Sequence, residues 1–309
     1  MKKTEDMIKE TSIWAGLNKP QILINDADIV VFGIPYDGGV SFRNGAKDAP
    51  AALREITYTI APTTEYFEDI SDLKVLDLGD FYSDNRVDLF KQIEGKVFEI
   101  VSQKKFFTMI GGDHSTTIPV QRGINRALNE PFGIIHIDAH FDLCDELEGD
   151  RLSHGSTERR ALEMTNINST ENLFFIGIRS IEMDELNFKK ENKINVVNSY
   201  DFHELGTSKV VEMVKAKMSK FNKVYMTLDI DCLDPAFAAG TGTPQFGGLN
   251  SRDLLNLLKG LFDLPIIGFD VVEIAPNLDP SLTSLFAGRK IITECWGHQL
   301  RKSYSLKQD

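Results

Sequence analysis

Eight short apolar runs punctuate the chain, at residues 28–33, 73–78, 106–110, 132–137, 172–178, 194–198, 224–229 and 265–271. Turn-forming residues bound them, and most lack polar alternation, which is how a strand buried on both faces of a sheet reads. Between the runs the apolar spacing becomes helical. Residues 48–55 open one helix, with Asp48 or Ala49 as cap and Pro50 in its first turn. Residues 88–103 read as a second. Residues 207–220 are amphipathic, with Val210, Val211, Val214 and Met218 on one face. Residues 251–262 place Leu254, Leu255, Leu257 and Leu258 behind Ser251 as the expected N-cap. Strand–helix alternation of this kind predicts an α/β fold, a single three-layer domain. It has a mostly parallel sheet of about eight strands, with helices on both faces. Residues 1–25 are polar with scattered apolar positions and read as an N-terminal arm. Residues 26–309 carry no composition break, linker or repeat and read as one catalytic domain.

Composition narrows the function classes. The chain has 309 residues, 42% of them hydrophobic and 26% charged, as in a globular protein of ordinary composition. A net charge of −12 argues against nucleic acid, whose phosphates demand basic patches. Residues 1–7 hold no apolar segment of the signal-peptide kind. No run reaches the roughly 18 apolar residues of a membrane helix. Cys144, Cys232 and Cys295 are few and far apart, and read as free thiols in a reducing cytoplasm.

The candidate chemistry sits where three of the runs end. Asp138, His140 and Asp142 follow 132–137, and Asp229 and Asp231 close 224–229. Residues two apart on an extended chain point the same way. Each set can therefore converge on one spot at the carboxyl edge of the sheet, where open α/β sheets build their sites. His114 follows Gly111 and Gly112, which let the chain turn sharply at the end of 106–110. Four carboxylates packed together repel one another and raise one another's pKa. A cation removes that repulsion, and oxygen donors with imidazole suit divalent ions such as Mn²⁺. So many anionic donors suggest two ions. His136 lies within its strand and reads as a buried, hydrogen-bonded group. His203 and His298 lack a motif and read as structural, Asp113 as stabilising a turn, Asp234 as fixing a loop, and Cys232 as packing.

These segments resemble the ureohydrolase family of arginases and agmatinases, most closely the agmatinases. The likeness rests on GGDHS (111–115), DAHFD (138–142), SHGSTERRA (153–161), DIDCLDPA (229–236), GTGTPQFGGL (240–249), DVVE (270–273) and the stretch from Phe32 to Arg43. It implies an arginase-like fold and two Mn²⁺ per subunit, with Ni²⁺, Co²⁺ or Zn²⁺ as alternatives. One ion would take His114, Asp138, Asp142 and Asp229. The other would take His140 and Asp231 and share Asp138 and Asp229. Glu273 would bind a guanidinium, His154 would carry protons to solvent, and Asp142 would relay a proton to the leaving amine. The implied reaction is agmatine plus water to putrescine plus urea, by attack of a hydroxide held between the ions. Other guanidino substrates are alternatives (guanidinobutyrate, arginine, free guanidine). A catalytically silent regulatory relative is a different kind of alternative, and it would require a broken donor set. The family also implies a homotrimer or homohexamer in the cytoplasm, with a small cationic guanidino partner and neither nucleic acid nor membrane.

Substrate choice turns on two features. Arginases read a carboxylate with an asparagine before the shuttle histidine, and here that position is Leu152. The loop 145–150 is strongly acidic and is expected to meet an ammonium instead. One departure from the agmatinases is Glu158, where they usually carry an apolar or aromatic residue.

Overall fold

In the computed structural model, which describes residues 12–58 and 60–305, the eight apolar runs pair side by side in one parallel sheet. The strands are β1 (Ile29–Ile34), β2 (Val75–Asp80), β3 (Phe106–Gly111), β4 (Gly133–Ile137), β5 (Leu173–Ile176), β6 (Asn195–Val197), β7 (Val224–Asp229) and β8 (Ile266–Val272). Their order across the sheet is β2-β1-β3-β8-β7-β4-β5-β6. Register aligns Ile110 with Val271, Val271 with Leu228 and Leu228 with Ile137. The four central strands β3, β8, β7 and β4 therefore end level with one another, and the chain leaves all four at the same edge.

Side-chain alternation divides the apolar residues into two cores, one on each face. Val30, Phe32, Phe107, Met109, Ile134 and Tyr225 belong to one. Ile29, Val31, Ile135, Met226, Leu228 and Phe269 belong to the other. The helices Arg86–Ser102 and Thr117–Ala127 cover the first face through Leu89, Ile93, Val97, Ile118 and Ile124. The helices Ala49–Thr57, Thr207–Met218, Ser251–Leu261 and Thr283–Ser305 cover the second through Leu53, Val210, Val214, Leu254 and Ile291. Among the described residues no helix is long and apolar enough to cross a membrane.

Departures from the sequence reading have local causes. The second strand starts at Val75 and runs on to Asp80, while the Leu73 N–H closes a turn onto the Ile70 carbonyl at 3.1 Å. As an edge strand it tolerates Asp77 and Asp80, which Arg54 grips; the guanidinium reaches Asp77 at 2.7 and 2.9 Å. The cap of the helix Ser251–Leu261 is Asn250, not Ser251. Asn250 is the last extended residue, and its side chain accepts the Asp253 N–H at 2.8 Å. The helix Thr117–Ala127 hides behind two helix breakers. Pro119 falls in its first turn, where no N–H is needed, and Gly123 lies at a close crossing. A Cβ on Gly123 would come within 2.6 Å of the Val97 Cβ.

Of the expected arm, residues 1–11 lie outside the described residues. Trp14 is buried: its backbone N–H donates to Thr57 Oγ1 at 2.8 Å, its indole N–H to Asp77 at 2.6 Å, and its ring meets Trp296 edge-on. All three cysteines are buried free thiols.

Candidate metal centre

Each central strand delivers polar side chains at or just past its end. β3 leads to Asp113 and His114, β4 to Asp138, His140 and Asp142, β7 to Asp229 and Asp231, and β8 to Glu273. Asp113, Asp138 and Asp229 use one device: a carboxylate oxygen accepts the backbone N–H two residues on. The donors are Ser115 (2.9 Å), His140 (2.6 Å) and Asp231 (2.8 Å). Such turns fix the side chain and leave the other oxygen available. In Asp113 that second oxygen is taken by the Gly39 N–H at 2.7 Å, so it only braces the turn, as the sequence suggested. In Asp138 and Asp229 it faces inward. Asp142 reaches the same point from a left-handed backbone (φ 53°), a conformation that costs a non-glycine residue about 1 kcal/mol or more.

The inward atoms converge. His114 Nδ1 lies 3.0 Å from Asp138 Oδ2, 2.9 Å from Asp142 Oδ2 and 3.5 Å from Asp229 Oδ2. His140 Nδ1 lies 3.2 Å from Asp231 Oδ2 and 3.4 Å from Asp138 Oδ1. His114 Nδ1 and the Oδ2 atoms of Asp138, Asp142 and Asp231 are buried with no hydrogen-bond partner. Buried polar atoms seldom stay unpartnered, and these four face common points. Burial, then the charges of Asp231 and Asp138, push the Asp229 pKa well above its ordinary value. Burial and Asp138 raise Asp231 likewise.

The support behind His114 settles which nitrogen carries its proton. Asp270 accepts from the hydroxyls of Thr227 (2.7 Å), Thr117 (2.8 Å) and Tyr225, and from the Leu228 N–H. Thr227 Oγ1, its own proton given to Asp270, lies 2.8 Å from His114 Nε2 and can only accept there. A neutral ring therefore keeps its proton on Nε2, which leaves the Nδ1 lone pair free for a cation among the carboxylates. This fits hard divalent cations held by His114, Asp138, Asp142 and Asp229 on one side and by His140, Asp231 and the shared aspartates on the other. His136 also approaches Asp138 Oδ2, at 3.1 Å. Both its nitrogens face acceptors, the His140 carbonyl at 3.1 Å and Glu158 at 3.2 Å. Burial alone would lower its pKa, but Asp138 and Glu158 raise it to about 10, so it stands as a buried cation with no lone pair to offer.

His154 and Glu273 form a pair beside the cluster. His154 Nδ1 lies 2.9 Å from Glu273 Oε1, which also accepts the His114 N–H at 2.9 Å. Glu273 is buried and, like Asp142, has a left-handed backbone (φ 63°). Burial would lower the His154 pKa, but the bond to Glu273 prevails and lifts it to about 9.

Above them opens a cavity of about 150 Å³, lined among others by Ser41, His140, Asp142, His154, Glu182 and Glu185. The acidic loop 145–150 does not face it as the sequence suggested; from that loop only Leu147 lines the cavity. Asp150 is paired with Arg86, and Asp145 with Arg151 and Arg160. Apart from Asp142 and Asp229 of the cluster, the acidic groups at the cavity are Glu182 and Glu185, at the start of the helix Met183–Glu191. Burial raises the Glu185 carboxyl to about 7 against the pull of the Glu182 and Leu143 N–H groups. The sequence signal for this pair was a helix-start pattern, which reads as capping. Arg179 carries no motif in the sequence either. Its guanidinium donates to the carbonyls of Asp231 (2.6 Å) and Gln245 (2.8 Å), tying two loops of the site together.

Comparison with known proteins agrees with this geometry. The model of the arginase family matches residues 27–297. The proclavaminate amidinohydrolase of Streptomyces clavuligerus is 34% identical over 270 residues, 84% of each chain. An agmatinase of Neisseria meningitidis is 36% identical over 275 residues, 87% of this chain and 86% of that one. The crystal structure of a hypothetical agmatinase from Burkholderia thailandensis superposes with a TM-score of 0.82 at 32% identity, covering 91% of this chain and 89% of that one.

Proposed function

The chain belongs to the arginase family, and from that membership we propose that it hydrolyses the guanidino group of a small cationic substrate, foremost agmatine, to urea and putrescine. The observation that carries the reading is the set of buried, unpartnered donor atoms on His114, Asp138, Asp142 and Asp231 beside the His154–Glu273 pair. A silent relative is disfavoured because all six donors are present and face inward. Two Mn²⁺ ions are the proposed occupants, held by His114, Asp138, His140, Asp142, Asp229 and Asp231; when bound, they would lower the pKa of a coordinated water and so supply hydroxide at neutral pH.

The rest is the work of side chains. The carboxylate of Glu273, one oxygen of which already serves His154 and the His114 N–H, would hold the guanidinium carbon toward the cluster through the other. Asp142, lining the cavity, would pass a proton to the departing amine, which leaves poorly as an anion. His154 would exchange protons with solvent, since Glu273, against burial, holds its pKa at about 9, close enough to neutral for the ring to gain and lose a proton. Glu182 and Glu185 would receive the far ammonium of agmatine. A carboxylate at that end would meet like charge, and Leu152 packs against the core with no donor to give.

The test is urea release by Mn²⁺-loaded protein from agmatine, arginine, guanidinobutyrate and free guanidine. Agmatine should lead arginine by about a hundredfold or more in kcat/KM, since an unpaired buried carboxylate costs several kcal/mol. A guanidino acid in the lead would move the assignment toward the amidinohydrolase relatives, and no urea from any of the four would end it.

A further inference from the structure

The outer nitrogen of His154 is covered by one residue. Ser41 N lies 3.2 Å and Ser41 Oγ 2.9 Å from His154 Nε2. A backbone N–H can only donate, so Nε2 accepts here, and the ring proton of neutral His154 sits on Nδ1, donated to Glu273. The loop that carries Ser41 is pinned on both sides. The Gly39 carbonyl accepts the His154 N–H at 3.0 Å, and the Gly39 N–H donates to Asp113. Arg43 donates to the carbonyls of Gly242 (3.0 Å) and Thr241 (2.9 Å) on the far side. Gly39 must be glycine for this approach, because a Cβ there would come within 2.8 Å of Ser115 Oγ. Ser41 itself is half-buried and lines the cavity.

We propose that Ser41 is the positioning and relay residue of His154: its backbone fixes the ring's tautomer, and its hydroxyl is the gate through which protons pass between Nε2 and solvent. When the ring gains a second proton, the Ser41 N–H has no lone pair to meet, whereas the hydroxyl rotates and accepts. Outward, the Nε2–H bond breaks as its proton moves to Ser41 Oγ, while the Ser41 O–H proton moves to a water in the cavity. Inward, the same bonds exchange in reverse, and nothing is consumed. The proposal rests on the reading of His154 as a proton carrier.

The experiment compares Ser41→Ala, Ser41→Thr, His154→Asn and the double variant Ser41→Ala/His154→Asn in Mn²⁺-loaded protein. Metal content, kcat and KM are measured at low and high concentrations of a small buffer such as imidazole. Ser41→Ala should lower kcat about tenfold at low buffer, a part of what acid–base groups contribute. Its KM and metal content should match the parent. High buffer and Ser41→Thr should each restore most of the loss, and Ser41→Ala should cost nothing further on His154→Asn. Parent-like kcat in Ser41→Ala at low buffer would overturn the proposal. So would a loss that neither buffer nor threonine repairs, or one that persists on the His154→Asn background. Full activity of His154→Asn alone is a different result; it would remove the proton-carrier reading on which the proposal stands.

Discussion

At the scale of single residues, the cluster works because each donor is held from behind. Thr227 is the clearest case, since its hydroxyl both serves Asp270 and sets the proton of His114. Thr227→Val keeps the shape, removes the relay, and should weaken metal binding about 10–100-fold, as loss of such supporting bonds does elsewhere. A metal titration reads this directly, and unchanged affinity would mean the tautomer is set by other means. Glu273→Gln should cost about a hundredfold or more in kcat through misplaced substrate, with metal content unchanged. Parent-like turnover in that variant would reduce Glu273 to a strand-end charge. Glu185 gives a pH signature. Neutral below about 7 and anionic above it, it should bind a cationic substrate better as pH rises, so KM for agmatine should fall through that range. Glu185→Gln should flatten the dependence and raise KM about tenfold at pH 8, the worth of a charge-assisted contact. A parallel pH profile in parent and variant would assign the ammonium to another group.

At the scale of elements, the order of legibility follows the physics. Strands buried on both faces leave little freedom in composition, so β1, β3, β4, β7 and β8 could be read within a residue or so from apolar runs. The edge strand β2 was displaced because Asp77 and Asp80 have Arg54 and need no apolar setting. The candidate donors stood out because they sit within a few positions of strand ends, but turns and short helical segments past those ends, not strand parity, aim their side chains. Contacts that join distant segments left no local mark. Ser41 and His154 are 113 residues apart, and Asp231 meets the Ala139 N–H across 92. The helix Thr117–Ala127 was illegible because its breakers serve packing. That account is testable: Gly123→Ala places a methyl against Val97 and should destabilise by roughly 1–3 kcal/mol. Denaturant midpoints measure it. A stabilised Gly123→Ala, as helix propensity alone would predict, would show that the crossing has room to spare.

At the scale of the whole molecule, the same charges that build the site burden the fold. A carboxyl whose folded pKa lies above its unfolded value, near 4, binds more protons folded than unfolded as pH rises between the two. Stability therefore falls with rising pH across that window. Asp229 and Asp231 are shifted in this direction, and burial with the Glu273 charge raises Asp113 to about 7. With metal chelated, the cluster should cost the fold on the order of a few kcal/mol more at pH 8 than at pH 4. Cations that prefer the ionised donors reverse the dependence, because their binding free energy adds to stability as the carboxylates ionise. Carboxylates outside the site contribute alike to both forms, so the difference in melting temperature between Mn²⁺-loaded and chelated protein isolates the cluster. That difference should widen steadily from pH 5 to pH 8. Asp229→Asn removes one charge of the crowd. It should raise the melting temperature of the chelated protein at pH 8 and shrink the gain on adding Mn²⁺. If the gap stays constant with pH and Asp229→Asn gains nothing when chelated, the carboxylates do not repel as their burial implies. The donor set then loses its main physical argument for a cation.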